Sequence, residues 1–419
     1  MVVPTVAVHN GLGSLRARGR LRGAVALLGP AFVAAVAYVD PGNFATNFSA
    51  GAGFGYELAW VVVVANLMAM LVQYLSAKVG VATGRDLPEL CRDRLPGAVS
   101  AGLWVQAELV AMATDLAEFV GAAIGLNLLF GIPLIAAGLI TAVVAFGILA
   151  MQQRGYRRFE LAIAALLGFV FLGFAYDLAT VGASPSAAAA GLVPAFGGSG
   201  RLLLVAGIIG ATVMPHVVYL HSALTKSRVT CADDAERRQL LRFQRLDVTI
   251  ALGAAGLINL AMLFVAASLF SKHGLTGDGS IAAAHASLGR LVGGGAALAF
   301  AVALLASGLS SSSVGTYAGQ VVMQGFIGRR IPVFARRALT MLPALVVLGL
   351  GLSPTGSLVI SQVVLSFGIP FALVPLVLLT RRADVMGSLV NRSLTTATAG
   401  CVAALIVVLN VYLLYLTFR

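Results

Sequence analysis

The sequence predicts an all-α integral membrane protein with eleven transmembrane helices, of which the first and the sixth are broken. Three features support this fold class: the composition, the length of the apolar stretches and the distribution of the basic residues. Of the 419 residues, 59% are hydrophobic and 11% are charged, and the mean hydropathy is +0.96. Soluble domains are about 45–50% apolar and about 25% charged. The composition therefore excludes an ordinary soluble protein, and its hydrophobicity excludes a disordered chain.

Eleven apolar stretches are candidates to cross a bilayer, whose hydrocarbon core of about 30 Å requires about 20 helical residues. Their approximate bounds are 24–49, 57–80, 99–126, 132–151, 159–178, 201–225, 246–270, 291–324, 338–352, 356–380 and 394–417. The first stretch contains Ala35-Val36-Ala37, which resembles a signal-peptide cleavage site. Because apolar sequence continues beyond it through a polar motif, we interpret this stretch as the first transmembrane span.

The basic residues are concentrated on one side of this predicted topology. With the N-terminus in the cytoplasm, 24 of the 28 lysines and arginines fall in cytoplasmic segments. The four exceptions are Arg201, Lys272, Arg290 and Arg419. This positive-inside bias predicts a cytoplasmic N-terminal tail (1–23) and a C-terminus outside. The net charge of +12 is then a consequence of topology, so it favours contact with anionic lipid over binding of nucleic acid.

The cysteines predict no cross-linked or metal-binding framework. Cys91, Cys231 and Cys401 are an odd number, lie far apart and form no CxxC pair. Neither a disulfide pattern nor a zinc or iron–sulfur spacing follows from them. We interpret them as packing residues, and the sequence predicts no bound cofactor.

Helix-breaking polar sequence interrupts two of the apolar stretches. Asp40-Pro41-Gly42-Asn43 lies in the first, and the segment from Gly210 to His216, which includes Met214-Pro215, lies in the sixth. Proline removes a backbone donor and glycine adds backbone freedom, so each motif frees carbonyl groups at membrane depth. Such breaks are tolerated only where they face protein or a water-filled cavity.

The two breaks occupy matching positions in two halves of the chain. Spans one to five (24–178) and six to ten (201–380) begin at a similar offset from their breaks, and an eleventh span (394–417) follows. Interruptions at corresponding positions of two halves indicate a transporter site between inverted repeats. The alternative is a pair of proline kinks without a site.

The residue types at the breaks favour a divalent metal ion. Asp40 supplies a carboxylate without a basic neighbour in its own span, and Asn43 supplies an amide oxygen. The sixth-span break adds the free carbonyl of Ala211 and the thioether of Met214. Hard ions such as Mg²⁺ prefer oxygen alone, whereas a thioether favours softer transition metals such as Mn²⁺, Fe²⁺, Co²⁺ or Cd²⁺. Considered alone, Met214 is also compatible with an apolar packing residue.

Ionisable residues of the third and sixth spans suggest a second polar path. Glu108, Asp115 and Glu118 fall within an arc of about 80° on one helix face, and such groups need partners, protons or water at membrane depth. Arg336 and Arg337 open the ninth span and are candidate partners. Two histidines follow the sixth-span break and are either packing residues or proton relays, because imidazole titrates near neutral pH. They are His216 and His221.

Several motifs together resemble the natural-resistance-associated macrophage protein (Nramp) family, over residues 24–390. They are Asp40-Pro41-Gly42-Asn43-Phe44-Ala45-Thr46-Asn47, Ala211 with Met214-Pro215-His216, Thr114-Asp115-Leu116-Ala117-Glu118, Ser307-Gly308-Leu309-Ser310-Ser311-Ser312, Met323-Gln324-Gly325-Phe326 and Ser361-Gln362-Val363. The resemblance implies a leucine-transporter-like fold and proton-coupled import of Mn²⁺, Fe²⁺ and related ions. With Met214 the chain resembles the transition-metal branch of the family, and with eleven spans it resembles the bacterial forms, which implies a bacterial inner (plasma) membrane.

The resemblance also implies roles for individual residues. Metal ligands would be Asp40, Asn43, the Ala211 carbonyl and Met214, with Gln362 joining in an occluded state. The proton route would include Asp40, His216, Glu118, Asp115, Arg336 and Arg337. His221 and Glu108 are secondary candidates. No oligomer is required by this interpretation.

Three other functions remain open at the level of sequence. A cation-coupled amino-acid carrier of the same fold would hold a substrate carboxylate at the broken helices, which Asp40 disfavours by charge repulsion. An intramembrane metalloenzyme would require clustered histidine and carboxylate ligands, and the sequence has no HExxH motif and five scattered histidines. A channel is the third, although matched broken helices favour alternating access.

Overall fold

A computed structural model describes residues 29–152, 156–195, 199–226, 228–272, 279–328 and 331–418. The predicted N-terminal tail and the start of the first span lie outside these residues. Within them the regular elements are helices. The all-α class predicted from the sequence is therefore confirmed.

The first predicted span is divided into two helices. Helix α1 covers Pro30–Ala37 and helix α2 covers Pro41–Phe54. The carboxylate of Asp40 accepts a hydrogen bond from the Asn43 N–H (2.8 Å) and so caps α2. Proline at the first helical position needs no backbone partner there. The break and the start of α2 are therefore encoded by the same four residues that the sequence analysis identified.

The second break has the same local cause. Helix α9 covers Ser199–Thr212 and helix α10 covers Pro215–Thr225, with Met214 in an extended conformation between them. Pro215 opens α10 just as Pro41 opens α2. The prediction that the first and sixth spans are broken is confirmed.

The remaining helices follow the predicted spans and their connections. Before the second break these are α3 (Ala59–Thr83), α4 (Leu87–Arg94), α5 (Gly97–Phe130), α6 (Leu134–Gln152), α7 (Tyr156–Val181) and α8 (Pro185–Ala190). After it come α11 (Asp234–Lys272), α12 (Ile281–Leu291), α13 (Gly294–Ile327), α14 (Val333–Gly349), α15 (Pro354–Thr380), α16 (Ala383–Met386) and α17 (Ser393–Thr417), with a 3₁₀ turn at Gly387–Leu389. Each of the eleven predicted stretches contains helix.

Eight helical segments among the described residues are long and apolar enough to cross a membrane. They are Ala59–Thr83, Gly97–Phe130, Ala164–Val181, Gly200–Thr225, Asp234–Phe270, Gly294–Ile327, Pro354–Thr380 and Ser393–Leu416. A shorter apolar segment covers Leu134–Gly147, α14 has 17 residues, and the first span is split. The chain is therefore a multi-pass membrane protein, and the total of eleven spans stays a prediction.

Helices α5 and α13 pack closely along one another. Glycines permit this approach, because a Cβ at Gly125 would meet Leu305 and a Cβ at Gly308 would meet Ala122. On the other side of the bundle, the carboxylate of Asp247 in α11 accepts the backbone N–H of Ala31 (2.9 Å) and so holds the start of α1. The broken helices are thus held by the continuous helices α5, α11 and α13.

A polar network joins three helices at the end of the bundle that carries most of the basic residues. The Lys226 ammonium, just beyond α10, pairs with Asp86 (2.6 Å) and Glu89 (2.9 Å). Burial raises the pKa of Asp86 to about 6, against the opposing effect of the lysine charge. Arg92 donates to the carbonyl of Gly325 in α13 (2.7 Å). Helix α4 therefore connects α10 and α13 at this end.

Candidate metal site between the broken helices

The two breaks meet at Gln362 of α15. A Cβ on Gly42 of α2 would overlap the Gln362 side-chain amide, and a Cβ on Gly210 of α9 would overlap the Gln362 backbone carbonyl. Gln362 is fully buried. One residue of α15 thus contacts both broken helices, which brings the two sequence motifs into one region.

Several buried oxygen atoms at this junction have no hydrogen-bond partner among the described residues. They are Asp40 Oδ2, Asn43 Oδ1, Thr212 Oγ1 and Gln362 Oε1. Buried polar atoms are normally paired, and an unpaired buried carboxylate is costly. A cation would offset this cost, so the cluster has the chemistry of a cation site.

The remaining predicted donors lie in the second break. Ala211 is fully buried in the last turn of α9, and Met214 is 1% exposed at the extended residue before α10. Thr212, which the sequence analysis did not single out, adds a hydroxyl between them. Its position inside the break motif was the signal that could have identified it.

Two further residues hold the first break and were also missed as positioning groups. The Ser307 hydroxyl of α13 donates to the carbonyl of Val39 (2.5 Å), and the Asn259 amide of α11 donates to the carbonyl of Tyr38 (2.8 Å). Asn259 also accepts a hydrogen bond from Asn47 (2.7 Å). The carbonyls that the break frees are therefore satisfied by fixed helices, as irregular backbone at membrane depth requires.

His216 lies in the first turn of α10 and faces α5. Its Nδ1 is 3.3 Å from the Thr114 hydroxyl, and its Nε2 is buried without a partner among the described residues. Thr114 immediately precedes Asp115 in the sequence. The histidine after the second break thus contacts the helix that carries the three acidic residues.

The acidic face of α5 is paired with two arginines of α14. Arg336 contacts Glu108 at 2.7 Å, and Arg337 contacts Asp115 at 3.6 Å. Both arginines are buried, at 7% and 3% exposure. The partner assignment made from the sequence is therefore correct, and two of the three carboxylates are neutralised in ion pairs.

Glu118 is the carboxyl group of this face that forms no ion pair within the described part of the chain. It is 1% exposed, and its Oε2 has no hydrogen-bond partner among the described residues. It interacts electrostatically with Asp115, Arg337 and Asp40. Glu118 therefore lies between the candidate cation site and the arginine pairs.

The second histidine belongs to a different hydrogen-bond chain. His221 Nδ1 lies 2.8 Å from Gln73 Oε1, and the Gln73 amide donates to the Tyr38 hydroxyl (2.5 Å). His221 thus connects α10 through α3 to the first break. The structure does not bring it to the acidic face of α5.

The donor set differs from that of a resident metal centre. Within the described ranges no group of three or more histidine, cysteine, aspartate or glutamate residues lies close enough to hold a metal. The junction instead combines one carboxylate with amide, hydroxyl and thioether groups. Such a mixed oxygen and sulfur set is compatible with a transition-metal ion.

Gly210→Ala is expected to disturb the junction while leaving the membrane fold assembled. The added methyl group would overlap the Gln362 carbonyl and the Ser366 amide, and overpacking of this kind costs about 1–3 kcal/mol. We expect a lower thermal unfolding temperature and reduced transport. Gly200→Ala in the same helix is the control, because a Cβ there meets nothing within 4 Å. Equal behaviour of the two variants would contradict the close approach of α9 and α15.

Two matched broken helices that share a buried polar junction are typical of one class of protein, the secondary transporters. The family model for natural resistance-associated macrophage protein-like (Nramp) proteins matches residues 31–416, and the chain belongs to this family. It is a transporter and not an enzyme.

Curated relatives cover nearly the whole chain. The chain is 53% identical over 401 residues to the divalent metal cation transporter MntH of Bacillus subtilis, covering 95% of this chain and 94% of that protein. It is 52% identical over 405 residues to MntH of Deinococcus radiodurans, covering 96% and 92%.

Solved structures support the same fold. A crystal structure of a manganese transporter from Eremococcus coleocola matches with a TM-score of 0.84 at 32% identity, over 97% of this chain and 88% of that one. The closed form of Mhp1, a nucleobase-cation-symport-1 family transporter, matches at 0.60 with 14% identity and bears on the fold alone. The leucine-transporter-like fold predicted from the resemblance is confirmed.

Proposed function

We propose that this protein imports divalent transition-metal ions, Mn²⁺ and Fe²⁺ with Co²⁺ and Cd²⁺ as further substrates, by proton-coupled alternating access. The observation that carries the proposal is the cluster of unpaired buried oxygens where both broken helices meet Gln362. The relatives named as divalent metal cation and manganese transporters support the substrate class.

The ligands in this proposal come from both breaks. Asp40 and Asn43 supply oxygen from the first, and the Ala211 carbonyl and the Met214 thioether act from the second. Gln362 completes the shell when both breaks close around the ion. The carboxylate balances part of the ion's charge, and the sulfur favours softer ions over Mg²⁺ and Ca²⁺.

Protons take a path beside the metal in this proposal. Asp40 and His216 exchange protons at the junction, and Glu118 accepts them next because it is buried and its Oε2 has no hydrogen-bond partner among the described residues. Asp115 and the two arginines, Arg336 and Arg337, continue the path along α5 and α14. The arginines pair with Glu108 and Asp115, so a proton added at Glu118 changes the net charge of this group of side chains.

The proposed orientation follows from the distribution of basic residues. The N-terminus lies in the cytoplasm and the C-terminus outside, in a bacterial inner membrane, and one chain contains all the proposed ligands. The membrane potential then favours inward movement of cations by about 2.3 kcal/mol per charge per 100 mV. An amino-acid substrate is disfavoured because the Asp40 carboxylate would repel the substrate carboxylate.

Met214→Ala tests the metal selectivity in proteoliposomes. Wild-type protein is expected to take up Mn²⁺ and to discriminate against Mg²⁺ and Ca²⁺, whereas the variant is expected to take up less Mn²⁺ and to admit more of the hard ions. Met323→Ala is the control, because Met323 is equally buried in α13. Unchanged selectivity in Met214→Ala would show that the thioether is only a packing group.

A further inference from the structure

One buried carboxylate has no role in the proposed transport path. Asp177 lies one turn before the end of α7, and the residue is fully buried. Neither Oδ1 nor Oδ2 has a hydrogen-bond partner among the described residues. Of the carboxylates at Asp40, Glu118 and Asp177, each of which has an unpaired buried oxygen, Asp177 alone has both oxygens unpaired.

Among the side chains that the structure describes, no cation forms a hydrogen bond with this carboxylate. Helices α1 and α2 contain no titratable side chain, and Tyr317 is the titratable residue of α13. The titratable side chains of α11 that the structure describes lie within 234–247, at the opposite end of the bundle. Other titratable groups at this end are Tyr176 of α7 and, on α12, the exposed Arg290 and His285, whose half-buried ring packs on Phe300.

An aromatic cluster covers this part of α7. Phe174, one turn from Asp177, packs edge-on against Phe44 of α2 (5.1 Å between ring centroids) and against Phe300 of α13 (6.3 Å). Phe48 of α2 packs against the same Phe300 (5.0 Å). The cluster joins a broken helix to two continuous helices, on the side of the bundle with few basic residues.

We propose that Asp177 is a proton-binding site separate from the acidic face of α5, occupied while this end of the bundle is closed and emptied when it opens. A bare carboxylate without a donor or a cation is strongly destabilised in an apolar environment, and a proton removes that charge. Movement of α2 away from α7 would separate Phe44 and Phe48 from Phe174 and admit water. The O–H bond of Asp177 then breaks, and its proton passes to that water.

The coupling has a defined sign. The closed form binds one more proton than the open form, so protons outside favour closure and a higher external pH favours opening. The proton-binding step stands without the proposed function, whereas the link to opening rests on alternating access. The two parts are therefore tested by separate measurements.

Infrared difference spectroscopy tests the proton itself. The wild-type spectrum minus that of Asp177→Asn, both at neutral pH, is expected to contain a carboxylic-acid C=O band. Glu57→Gln is the matched control, because this carboxylate at the same end is 54% exposed and paired with Arg201. The wild-type spectrum minus that of Glu57→Gln is expected to contain only a band of the ionised carboxylate. If Asp177→Asn does not fold, Asp177→Ser removes the same carboxyl group.

A carboxylate band in the wild-type minus Asp177→Asn difference would overturn the proposal, since Asp177 would then be ionised when buried.

The second measurement is initial Mn²⁺ uptake as a function of external pH. Asp177→Asn is expected to lose one component of the wild-type pH dependence while it still transports. If the acid band is present but the pH profile of Asp177→Asn equals that of the wild type, the link to opening is overturned. If the wild type itself takes up no Mn²⁺, the proposed function is overturned instead.

Discussion

Asp40→Asn is expected to reduce Mn²⁺ uptake into proteoliposomes to the level of empty liposomes. The substitution removes the single carboxylate of the junction, where the other donors are neutral oxygen and sulfur. A dehydrated divalent ion then has no charge to compensate its lost hydration. Asparagine caps a helix as well as aspartate does, so α2 is expected to start at the same residue.

The comparison with Asp40→Ala separates charge from capping. Alanine removes both, and loss of the cap costs about 1 kcal/mol, so only this variant is expected to unfold at a lower temperature. Asp384→Ala is the control, because Asp384 is an exposed carboxylate paired with Arg382 (2.8 Å) at the protein surface. Robust uptake by Asp40→Asn would contradict the proposed ligand set.

Arg337→Met is expected to lower the stability of the protein more than Asp40→Ala or Gly210→Ala does. The guanidinium is 3% exposed and donates to the Ser312 carbonyl (3.1 Å) and to the hydroxyls of Ser312 and Thr316. Its removal leaves Asp115 as an uncompensated buried charge. Breaking one partner of a buried ion pair costs about 3–5 kcal/mol, which thermal unfolding in detergent would register as a marked decrease.

The double variant Arg337→Met with Asp115→Asn tests the cause of this loss. Removing both charges is expected to restore much of the stability, because replacing both partners of a buried pair is often close to neutral. Arg382→Met is the surface control and is expected to change stability little. If the double variant is no more stable than Arg337→Met, the arginine acts through its hydroxyl and carbonyl contacts and not through the charge of Asp115.

Local sequence was sufficient to predict the apolar helical spans and both breaks, but not the short helices α4, α8 and α12 or the start of α11 at Asp234. The approximate span boundaries follow from the lengths of the apolar stretches. Pro41 and Pro215 each open a helix, because proline has no backbone N–H to donate to a preceding helical turn. That Arg336 and Arg337 are partners of the acidic face of α5 was also predictable, because buried charges at membrane depth require partners of opposite sign. Which arginine pairs with Glu108 and which with Asp115 was decided by the structure.

The contacts that complete the junction were decided by tertiary structure. Nothing in the sequence near Gln362 indicates that its side chain meets Gly42 while its backbone meets Gly210. Ser307 and Asn259 hold the carbonyls of the first break from helices more than 200 residues away. The unpaired state of Asp177 likewise depends on which helices surround it.

The sequence by itself determined the membrane class, the broken helices and the kinds of donor atom at the breaks, because these depend on local hydropathy and backbone chemistry. Tertiary structure decided which donors converge and which carboxyl groups remain unpaired. The physical reason is that pairing and burial depend on the positions of distant helices, which residue type and spacing do not fix.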